Sequence, residues 1–333
     1  MMIKLVRVFA CASLLVLSMA CDREKMAAKA NATILLADPT IFLYEGTYYL
    51  YGTTDASEQY KEKGFLVYTS ADLKTWEGPS GANDGLALKK GDAFGDKGFW
   101  APQVFEFKNR FYMAYTANEH IAMAVGDSPL GPFTNPSREA LKAPVRQIDP
   151  FVFMDDDGRK YLYHVRLDQG NRIFVAELNN DLMSIREETL KECLSAELPW
   201  ENMQQAEWPV SEGPTVLKHK GLYYMLYSAN DFRSPDYAVG FATSESPLGP
   251  WKKSEKGPII HKALQRQNGT GHGDIFTDVE GDLHYVFHTH LNDSIVLPRR
   301  TALVLMEFVD GGDALDHIEI DHESFRFLQP ASH

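Results

Sequence analysis

The sequence predicts an all-β fold, a five-bladed β-propeller with a functional site at the mouth of its central channel. Three observations support this prediction: one hairpin pattern recurs five times, a similar third strand follows each hairpin, and helical periodicity is weak. Propeller blades are four-stranded sheets arranged around a channel, so five units of roughly 50 to 60 residues account for the pattern. A β-sandwich would not explain a fivefold repeat.

Each hairpin begins with a small or acidic residue, usually with Pro next to it. An apolar run, a polar or Gly turn and an aromatic-rich strand follow, as is typical of β-hairpins. The starts of the units are separated by 63, 48, 64 and 60 residues. The five units are DPTIFLYEGTYYLYGT from Asp38, APQVFEFKNRFYMAYT from Ala101, DPFVFMDDDGRKYLYHV from Asp149, GPTVLKHKGLYYMLYS from Gly213 and GDIFTDVEGDLHYVFHT from Gly273.

The third strands also resemble one another, and SPLGP follows two of them, at 128–132 and 246–250. A helical turn is expected only in 184–193. The acidic turn at 155–158 is interpreted as a solvated hairpin turn, because the rest of an EF-hand pattern is missing. The third strands are FLVYTSADLKTW, IAMAVGDSPLGPF, IFVAELNNDLMSI, VGFATSESPLGPW and ALVLMEFVDGGDAL.

Residues 1–20 are predicted to be a lipoprotein signal peptide, with a basic start, a short apolar run and small residues before Cys21. Cys21 would then be lipidated, 21–32 would form a tether, and 33–333 would form a single propeller domain. The alternative is an ordinary secretory peptide cleaved near Ala20. Either way we expect an exported protein; lipidation would anchor it at the outer membrane or cell surface, or in the periplasm. No disulfide is expected, because Cys193 would have no partner.

Composition is that of a globular protein, with 44% hydrophobic and 24% charged residues. The formal charge of −13 and the lack of a basic run argue against nucleic acid as a partner. The same charge disfavours anionic polysaccharides, although a local basic pocket could override it.

In a propeller, the innermost strands begin near one mouth of the channel, so the residues at the unit starts should converge. Those residues are Asp38, Trp100, Asp149, Glu212 and His272. Three carboxyl groups in one funnel are costly for stability alone, because like charges repel and burial raises their pKa values. Such an arrangement is where acid/base chemistry is expected.

Five motifs at the heads of the units resemble glycoside hydrolase family 43, and the resemblance spans residues 35 to 310. It implies a five-bladed propeller that hydrolyses glycosidic bonds with inversion and without a metal, typically in arabinose- or xylose-containing plant polysaccharides. The motifs are ADPT at 37–40, FWAPQV at 99–104, IDPF at 148–151, SEGPTV at 211–216 and GTGHGD at 269–274.

By this resemblance, Asp38 is the general base that activates water, and Glu212 is the general acid that protonates the leaving oxygen. Asp149 is the third acid, which orients Glu212 and tunes its pKa. An inverting enzyme needs one carboxyl ionised and one protonated, on opposite faces of the sugar. An ionised Asp149 nearby would keep Glu212 protonated. Read as structural residues instead, Asp38 and Asp149 would be turn formers.

Three further residues are candidates by the same resemblance. Trp100 is either a core aromatic or a stacking wall for a sugar. His272 is either structural or a contact for an ion or water in the channel; a structural calcium there would depend mainly on water ligands. Arg299 is preferred over Arg300 as the arginine that reaches sugar hydroxyls, because neighbouring residues of a strand point to opposite faces.

The leading hypothesis is an exo-acting α-L-arabinofuranosidase or β-D-xylosidase, with the stretches 80–98 and 194–210 walling the pocket. An endo-arabinanase would need an open groove instead. A surface glycan-binding propeller that has lost catalysis is a further alternative, which the presence of all three acids disfavours. A phosphorylase is disfavoured because no basic phosphate-binding cluster is evident.

Overall fold

The five repeated hairpins form the inner strands of five sheets in the computed structural model, which describes residues 33–55, 60–312 and 315–331. The five-bladed β-propeller predicted from the repeat is confirmed. The predicted signal peptide, Cys21 and the tether lie outside the described residues. Within the described part of the chain, no helix is long and apolar enough to cross a membrane.

Each blade begins at the channel and runs outward through antiparallel strands. Blade 1 contains β1 (Ala37–Tyr44), β2 (Thr47–Thr53), β3 (Gly64–Leu66), β4 (Tyr68–Ser70), β5 (Thr75–Trp76) and β6 (Leu86–Lys89). Blade 2 contains β7 (Trp100–Phe107), β8 (Arg110–Ala117) and β9 (His120–Gly126). Blade 3 contains β10 (Gln147–Met154), β11 (Lys160–Leu167), β12 (Asn171–Glu177) and β13 (Lys191–Leu194).

Blade 4 contains β14 (Ser211–His219), β15 (Leu222–Ala229), β16 (Ala238–Ser244) and β17 (Lys252–Lys253). Blade 5 contains β18 (Gly271–Thr277), β19 (Leu283–Thr289), β20 (Arg300–Val309) and β21 (His317–Phe327), and β22 (Gln329–Pro330) follows it. The helical segments of the described chain are short: 3-10 turns at Glu187–Thr189 and Pro199–Asn202, and the α-helix α1 (Lys262–Gln265).

Every innermost strand carries a β-bulge at the same place, where its pairing with the second strand shifts register. The residue at the bulge has a positive φ, between 41° and 59°. A bulge bends the strand and re-aims a side chain, and a Pro after it is tolerated because no ladder N–H is required there. The five bulge residues, one from each blade, are Asp38, Ala101, Asp149, Gly213 and His272.

The N–H of each bulge residue is bound by the preceding blade. In four junctions the acceptor is a side chain at the end of that blade's second strand, at 2.7 to 3.2 Å. These acceptors are Thr53 for Ala101, Thr116 for Asp149, Ser228 for His272 and His288 for Asp38.

The junction between blades 3 and 4 differs. Val165 pairs with Ile148 at the position equivalent to those acceptors, and its side chain cannot accept a hydrogen bond. The N–H of Gly213 instead donates to Oδ2 of Asp149 at 3.3 Å. One of the candidate catalytic carboxyls therefore also connects two blades.

The hydrophobic core is divided into five clusters, one between each pair of neighbouring blades. Most of the largest fully buried side chains are tyrosines of the second strands. Burying one large apolar side chain contributes about 1.5–3 kcal/mol, so the aromatic content seen in the sequence holds the blades together.

Hydrogen bonds between the two ends of the described chain close the ring. The strand β22 pairs in parallel with β5 of blade 1. The N–H of Ile34 donates to the carbonyl of Leu328 at 2.8 Å, and the N–H of Thr301 donates to the carbonyl of Ile34 at 3.0 Å. Both ends of the propeller chain thus meet where blades 1 and 5 join.

The SPLGP turns and the acidic turn at 155–158 both connect neighbouring blades in the structure. The SPLGP turns are blade connectors, because Tyr51 and Tyr163 of the preceding blades donate to the carbonyls of Pro129 and Pro247 at 2.5 and 2.7 Å. The view of 155–158 as merely solvated is wrong for Asp155, which is buried and accepts hydrogen bonds from Lys218 and Tyr223.

Candidate active site

A cavity of about 530 Å³ opens at the mouth of the channel where the inner strands begin. All six site residues predicted from the sequence line it, although they come from five blades. They are Asp38, Trp100, Asp149, Glu212, His272 and Arg299.

These residues do not occupy equivalent positions in their strands. Asp38, Asp149 and His272 are bulge residues, whereas Trp100 and Glu212 stand one residue before the bulges of their blades. The predicted list of converging residues therefore takes the bulge residue in blades 1, 3 and 5 and the residue before it in blades 2 and 4. Glu212 therefore faces the cavity from a different strand position than Asp38 and Asp149 do.

Asp38 is held among hydrogen-bond donors and a positive charge. Its Oδ1 accepts from Nη1 of Arg299 at 3.0 Å, and its Oδ2 accepts from the hydroxyl of Thr53 at 2.6 Å. Burial opposes ionisation of Asp38, but the charge of Arg299, together with the contributions of His272 and His288, outweighs it and holds the pKa well below its ordinary value. Asp38 is therefore ionised at neutral pH.

Glu212 is buried to the same extent as Asp38, each being 8% exposed, but its partners are neutral. Tyr237 donates to Oε1 and Asn171 donates to Oε2, both at 2.8 Å. Burial raises the pKa of Glu212 to about 7; these two hydrogen bonds oppose the rise and the charge of Asp38 adds to it. Glu212 is thus the carboxyl that can hold a proton near neutral pH.

Asp149 lies near enough to both other acids for their charges to act on its carboxyl. Burial raises its pKa well above the ordinary value, and the charges of Glu212 and Asp38 add to that rise. Its Oδ2 accepts from the N–H of Gly213, the residue after Glu212. Two buried carboxyls this closely coupled resist being ionised together, so Asp149 and Glu212 favour sharing one proton.

Arg299 and Arg300 point in different directions. Nε of Arg299 donates to Asp55 at 2.8 Å, and its guanidinium lies 4.6 Å from the ring centre of Phe232 in addition to its contact with Asp38. Arg300 instead donates to Gln267 at 2.6 Å and lies over Phe327. Of these two residues, Arg299, which directly precedes β20, lines the cavity and Arg300, the first residue of the strand, does not.

His272 stands at the floor of the cavity. Its Nδ1 is 3.4 Å from Oδ1 of Asp38 and 3.8 Å from Oδ2 of Asp149. Burial lowers the pKa of His272, so the ring is neutral at pH 7. Below it, Asp274 accepts from the hydroxyls of Thr40 and Thr215 at 2.6 and 2.7 Å.

This surrounding does not fit the shell of six to eight oxygens that calcium prefers, since the oxygens of Asp274 are already engaged. Among the described residues, no group of three or more His, Cys, Asp or Glu is arranged to hold a metal ion. The channel space beside His272 is about 20 Å³, enough for one water. An ion at His272 stays a prediction that would require water ligands.

Trp100 combines both of its predicted roles. It lines the cavity and also packs against the cluster between blades 3 and 4. Gly98, with a φ of 62°, lies under its ring, where a Cβ would come within 3.1 Å of Cζ2. One face of the indole is therefore fixed by packing while part of the side chain stays exposed to the cavity.

The cavity walls were only partly anticipated. The stretch 194–210 contributes Trp208 and Val210, as expected, but no residue of 80–98 lines the cavity. Part of 80–98 forms β6, which pairs with β3 at the outside of blade 1. Lys61 and Glu62 form the nearby wall instead.

Several residues that contact the acids were missed from the sequence. Thr53 and His288 end second strands, so the antiparallel return of each hairpin could have indicated them. Asn171 and Tyr237 flank third strands, and Asp55 and Phe232 lie in loops with no pattern of their own. These last four positions carried no sequence signal, because each contact joins residues that are at least 25 positions apart along the chain.

The comparisons with known proteins agree with this geometry. The profile of "Glycosyl hydrolases family 43" matches residues 32–312. A β-D-galactofuranosidase of Aspergillus niger is 27% identical over 303 residues, which cover 84% of this chain and 81% of that protein. An arabinoxylan arabinofuranohydrolase of Bacillus subtilis is 27% identical, covering 72% of this chain and 56% of that protein.

Among solved structures, one described as an endo-1,4-β-xylanase from Bacteroides thetaiotaomicron superposes with a TM-score of 0.82. It is 37% identical and covers 90% of this chain and 98% of its own. A structure described as a thermostable family-43 glycoside hydrolase has a TM-score of 0.75 and 33% identity, covering 86% and 93%. The chain therefore belongs to family 43 of the glycosyl hydrolases and is an enzyme that hydrolyses glycosidic bonds.

Proposed function

We propose that this enzyme removes a terminal neutral sugar, arabinofuranose or xylose, from plant cell-wall glycans with inversion of the anomeric carbon. The observation that carries the proposal is the contrast between two equally buried carboxyls. Arg299 holds Asp38 ionised, while burial raises the pKa of Glu212 to about 7. Inverting hydrolysis requires one base and one acid in these states.

In the proposed reaction, Asp38 takes a proton from a water molecule as the water oxygen attacks the anomeric carbon. The bond from that carbon to the glycosidic oxygen breaks, and Glu212 gives its proton to the departing oxygen. Attack from the face opposite the leaving group inverts the anomeric centre. Afterwards Asp38 releases its proton to solvent and Glu212 takes one up, which restores both groups.

Asp149 acts on the acid through two routes in this proposal. Its contact with the N–H of Gly213 positions the backbone beside Glu212. The pKa of the Asp149 carboxyl is also raised, so Asp149 and Glu212 can share one proton, which helps to keep a proton available at Glu212.

The cavity favours an uncharged sugar, because seven carboxylic side chains and four basic ones line it among the residues that the structure describes. Arg146 and Arg233 pair with Glu119 and Asp231 at 2.6 and 2.5 Å, and Arg299 pairs with Asp38 and Asp55. An acidic sugar would therefore meet a net negative wall. The names of the relatives include arabinofuranose, galactofuranose and xylose activities, and all three sugars are neutral.

Cleavage within a chain is the second candidate. It is supported by the 37% identical structure described as an endo-1,4-β-xylanase, and by a further cavity beside the first one. Retention of three buried acids with a paired arginine disfavours the purely glycan-binding alternative, since unused buried charges are costly.

A panel of aryl glycosides tests the proposal: the p-nitrophenyl α-L-arabinofuranoside, β-D-xylopyranoside and β-D-galactofuranoside, with arabinan and xylan beside them. We expect release of single sugars, and NMR spectra taken early in the reaction should show the inverted anomer first. Retained configuration would contradict the roles of Asp38 and Glu212. Long internal fragments as first products would favour the second candidate.

We also propose, from the sequence, that the exported protein is anchored through a lipid on Cys21. A Cys21→Ser variant should move from the membrane fraction to the soluble fraction and lose incorporation of a labelled fatty acid. A variant that stays in the membrane fraction like the parent protein would exclude this anchor.

A further inference from the structure

Trp208 is an exposed aromatic residue whose only polar atom is nevertheless bound. The residue is 47% exposed, which is unusual for so large an apolar group. Its indole N–H donates to Oδ1 of Asn171 at 2.8 Å, and the amide nitrogen of Asn171 donates to Oε2 of Glu212 at 2.8 Å. The three side chains thus form a chain of two hydrogen bonds that ends at the candidate acid.

The backbone holds Trp208 and Asn171 in place beside each other. The N–H of Asn171 donates to the carbonyl of Pro209 at 2.9 Å, and Asn171 forms a parallel bridge with Val210. Gly170, with a φ of 129°, permits this approach, because a Cβ there would lie 2.7 Å from the carbonyl oxygen of Pro209. The contact between the two side chains is therefore supported by the main chain next to it.

The indole N–H determines which way the amide of Asn171 faces. An indole nitrogen can only donate, so the Asn171 atom beside it must be the carbonyl oxygen. The amide nitrogen then faces Glu212 and can only donate to it. A donor favours the ionised form of a carboxyl, whereas an acceptor in the same place would favour the protonated form. Trp208 therefore selects which of these two effects Asn171 has on Glu212.

The surroundings of Glu212 otherwise favour its protonated form. Burial raises the pKa of Glu212 to about 7 and nearby carboxylates add to the rise, while the two donors Tyr237 and Asn171 oppose it. A general acid must also release its proton, which it does best when its pKa lies near the working pH. The titratable groups around Glu212 are Tyr237, Asp38 with its partner Arg299, Asp231 with its partner Arg233, Asp149 and the neutral His272.

We propose that Trp208 and Asn171 are positioning residues that keep Glu212 able to release its proton, with the indole N–H of Trp208 fixing Asn171 as a donor to the acid. The inference rests on the proposed function, in which Glu212 is the general acid. Without the indole N–H, the amide of Asn171 is free to rotate and to present its oxygen to the protonated acid. Glu212 would then hold its proton more tightly.

The test follows the basic limb of the pH profile of kcat/KM for an arabino- or xylo-oligosaccharide, which reports the loss of the proton from the acid. Asn171→Ala removes the donor, so the basic limb should move to higher pH by about one unit. Trp208→Phe keeps an aromatic ring and removes the N–H. It should move the basic limb in the same direction by a smaller amount, about half a unit.

A double variant separates positioning through Asn171 from a direct effect of Trp208. In the Asn171→Ala background no amide remains to be oriented, so Trp208→Phe should cause no further shift of the basic limb. Trp200→Phe is the matched control, since it makes the same change in the same stretch 194–210. The indole N–H of Trp200 is buried and has no partner among the described residues, so the basic limb of this variant should coincide with that of the parent protein.

An unmoved basic limb in Trp208→Phe, or an equal shift by Trp208→Phe with and without Asn171, would overturn the proposal. Failure of the proposed function looks different, because the parent protein would then hydrolyse none of these oligosaccharides. In that case an NMR titration of isotope-labelled glutamate side chains still measures the pKa of Glu212, with Glu212→Gln identifying its signal. A higher pKa in both Asn171→Ala and Trp208→Phe supports the inference without hydrolysis, and an unchanged pKa in Trp208→Phe overturns it.

Discussion

Asp38 and Glu212 stand at the heads of blades 1 and 4, on strands of the same repeat, and are equally buried. Around Asp38 the structure places Arg299, and the pKa of that carboxyl is held well below its ordinary value. Around Glu212 it places only neutral donors, Tyr237 and Asn171, and burial raises the pKa to about 7. Two equally buried carboxyls at the heads of repeated blades thus differ in their affinity for a proton.

The difference shows that depth of burial does not set the chemistry of these acids. Burial disfavours the ionised form of both, and Arg299 with the neighbouring His272 and His288 reverses that effect for Asp38 alone. Arg299 comes from the end of the chain and pairs with both Asp38 and Asp55. Blade 5 therefore determines the protonation state of the acid in blade 1.

The largest expected effect comes from removing the base. Asp38→Asn should lower kcat/KM by about 10²–10⁴-fold on every glycoside, because no leaving group removes the need to activate water. Steady-state rates with an oligosaccharide and a dinitrophenyl glycoside measure it. Near-parent activity of this variant with either substrate would exclude Asp38 as the base.

The loss of kcat/KM on removing the acid should depend on the leaving group. Glu212→Gln should lower kcat/KM by about 10²–10⁴-fold on an oligosaccharide, and far less on a dinitrophenyl glycoside, whose oxygen departs without a proton. The ratio of the two losses is the measured quantity. A ratio near one would show that Glu212 does not protonate the leaving group, and would remove the functional contrast with Asp38.

The contrast should weaken when Arg299 is replaced. In Arg299→Met the pKa of Asp38 is expected to rise, because burial then acts without a compensating charge, so the acid limb of the pH profile of kcat/KM should move to higher pH. Losing one partner of a buried ion pair should also lower the free energy of unfolding by about 3–5 kcal/mol. Urea denaturation and pH–rate profiles measure the two effects.

Arg300→Met is the control for that substitution, because Arg300 is adjacent in sequence but contacts Gln267 and Phe327. Its acid limb should coincide with that of the parent protein. An unchanged acid limb in Arg299→Met would mean that Arg299 does not set the charge of Asp38.

The smallest effect concerns stability and needs no substrate. The folded-state pKa of Glu212 is raised from 4.5 to about 7. The stability linked to its protonated form is therefore full below the unfolded pKa and is lost as pH rises through about 7. Glu212→Gln should raise the free energy of unfolding at pH 8 by up to about 3 kcal/mol, and change it little at pH 4.

Denaturation curves at the two pH values measure this difference, with Glu207→Gln as the exposed control. A gain of the same size at both pH values would show that the raised pKa of Glu212 is not its cause. A loss at pH 8 would contradict the view that Glu212 is strained by its burial when ionised.

Much of the architecture could be predicted because a repeat is a local pattern. The five hairpins, their third strands and the convergence of Asp38, Asp149, Glu212 and His272 follow from unit starts that share one mouth of a ring. The exact position of each site residue within its strand was harder to predict from the sequence. Trp100 and Glu212 precede the bulges by one residue, and a bulge depends on the partner strand, which periodicity does not report.

Most of the residues that contact the acids could not be predicted from the sequence. Tyr237 and Asp55 lie in connections between strands, Asn171 is the first residue of β12, and each reaches a group in another part of the chain. Val165 shows that a missing group can matter as well. Because its side chain cannot accept a hydrogen bond, the N–H of Gly213 donates to Asp149 instead. The sequence does not reveal this, since the contact forms only where blades 3 and 4 meet.

The sequence alone determined the five-bladed fold and the acids at its channel, because strand alternation, turn residues and repeat spacing are encoded locally. The tertiary structure alone decided which acid is ionised, since a pKa depends on burial and on charges brought near by folding. It likewise decided that Trp208 stands between two cavities and is linked through Asn171 to Glu212. Contacts between blades carry that information, and no single blade contains it.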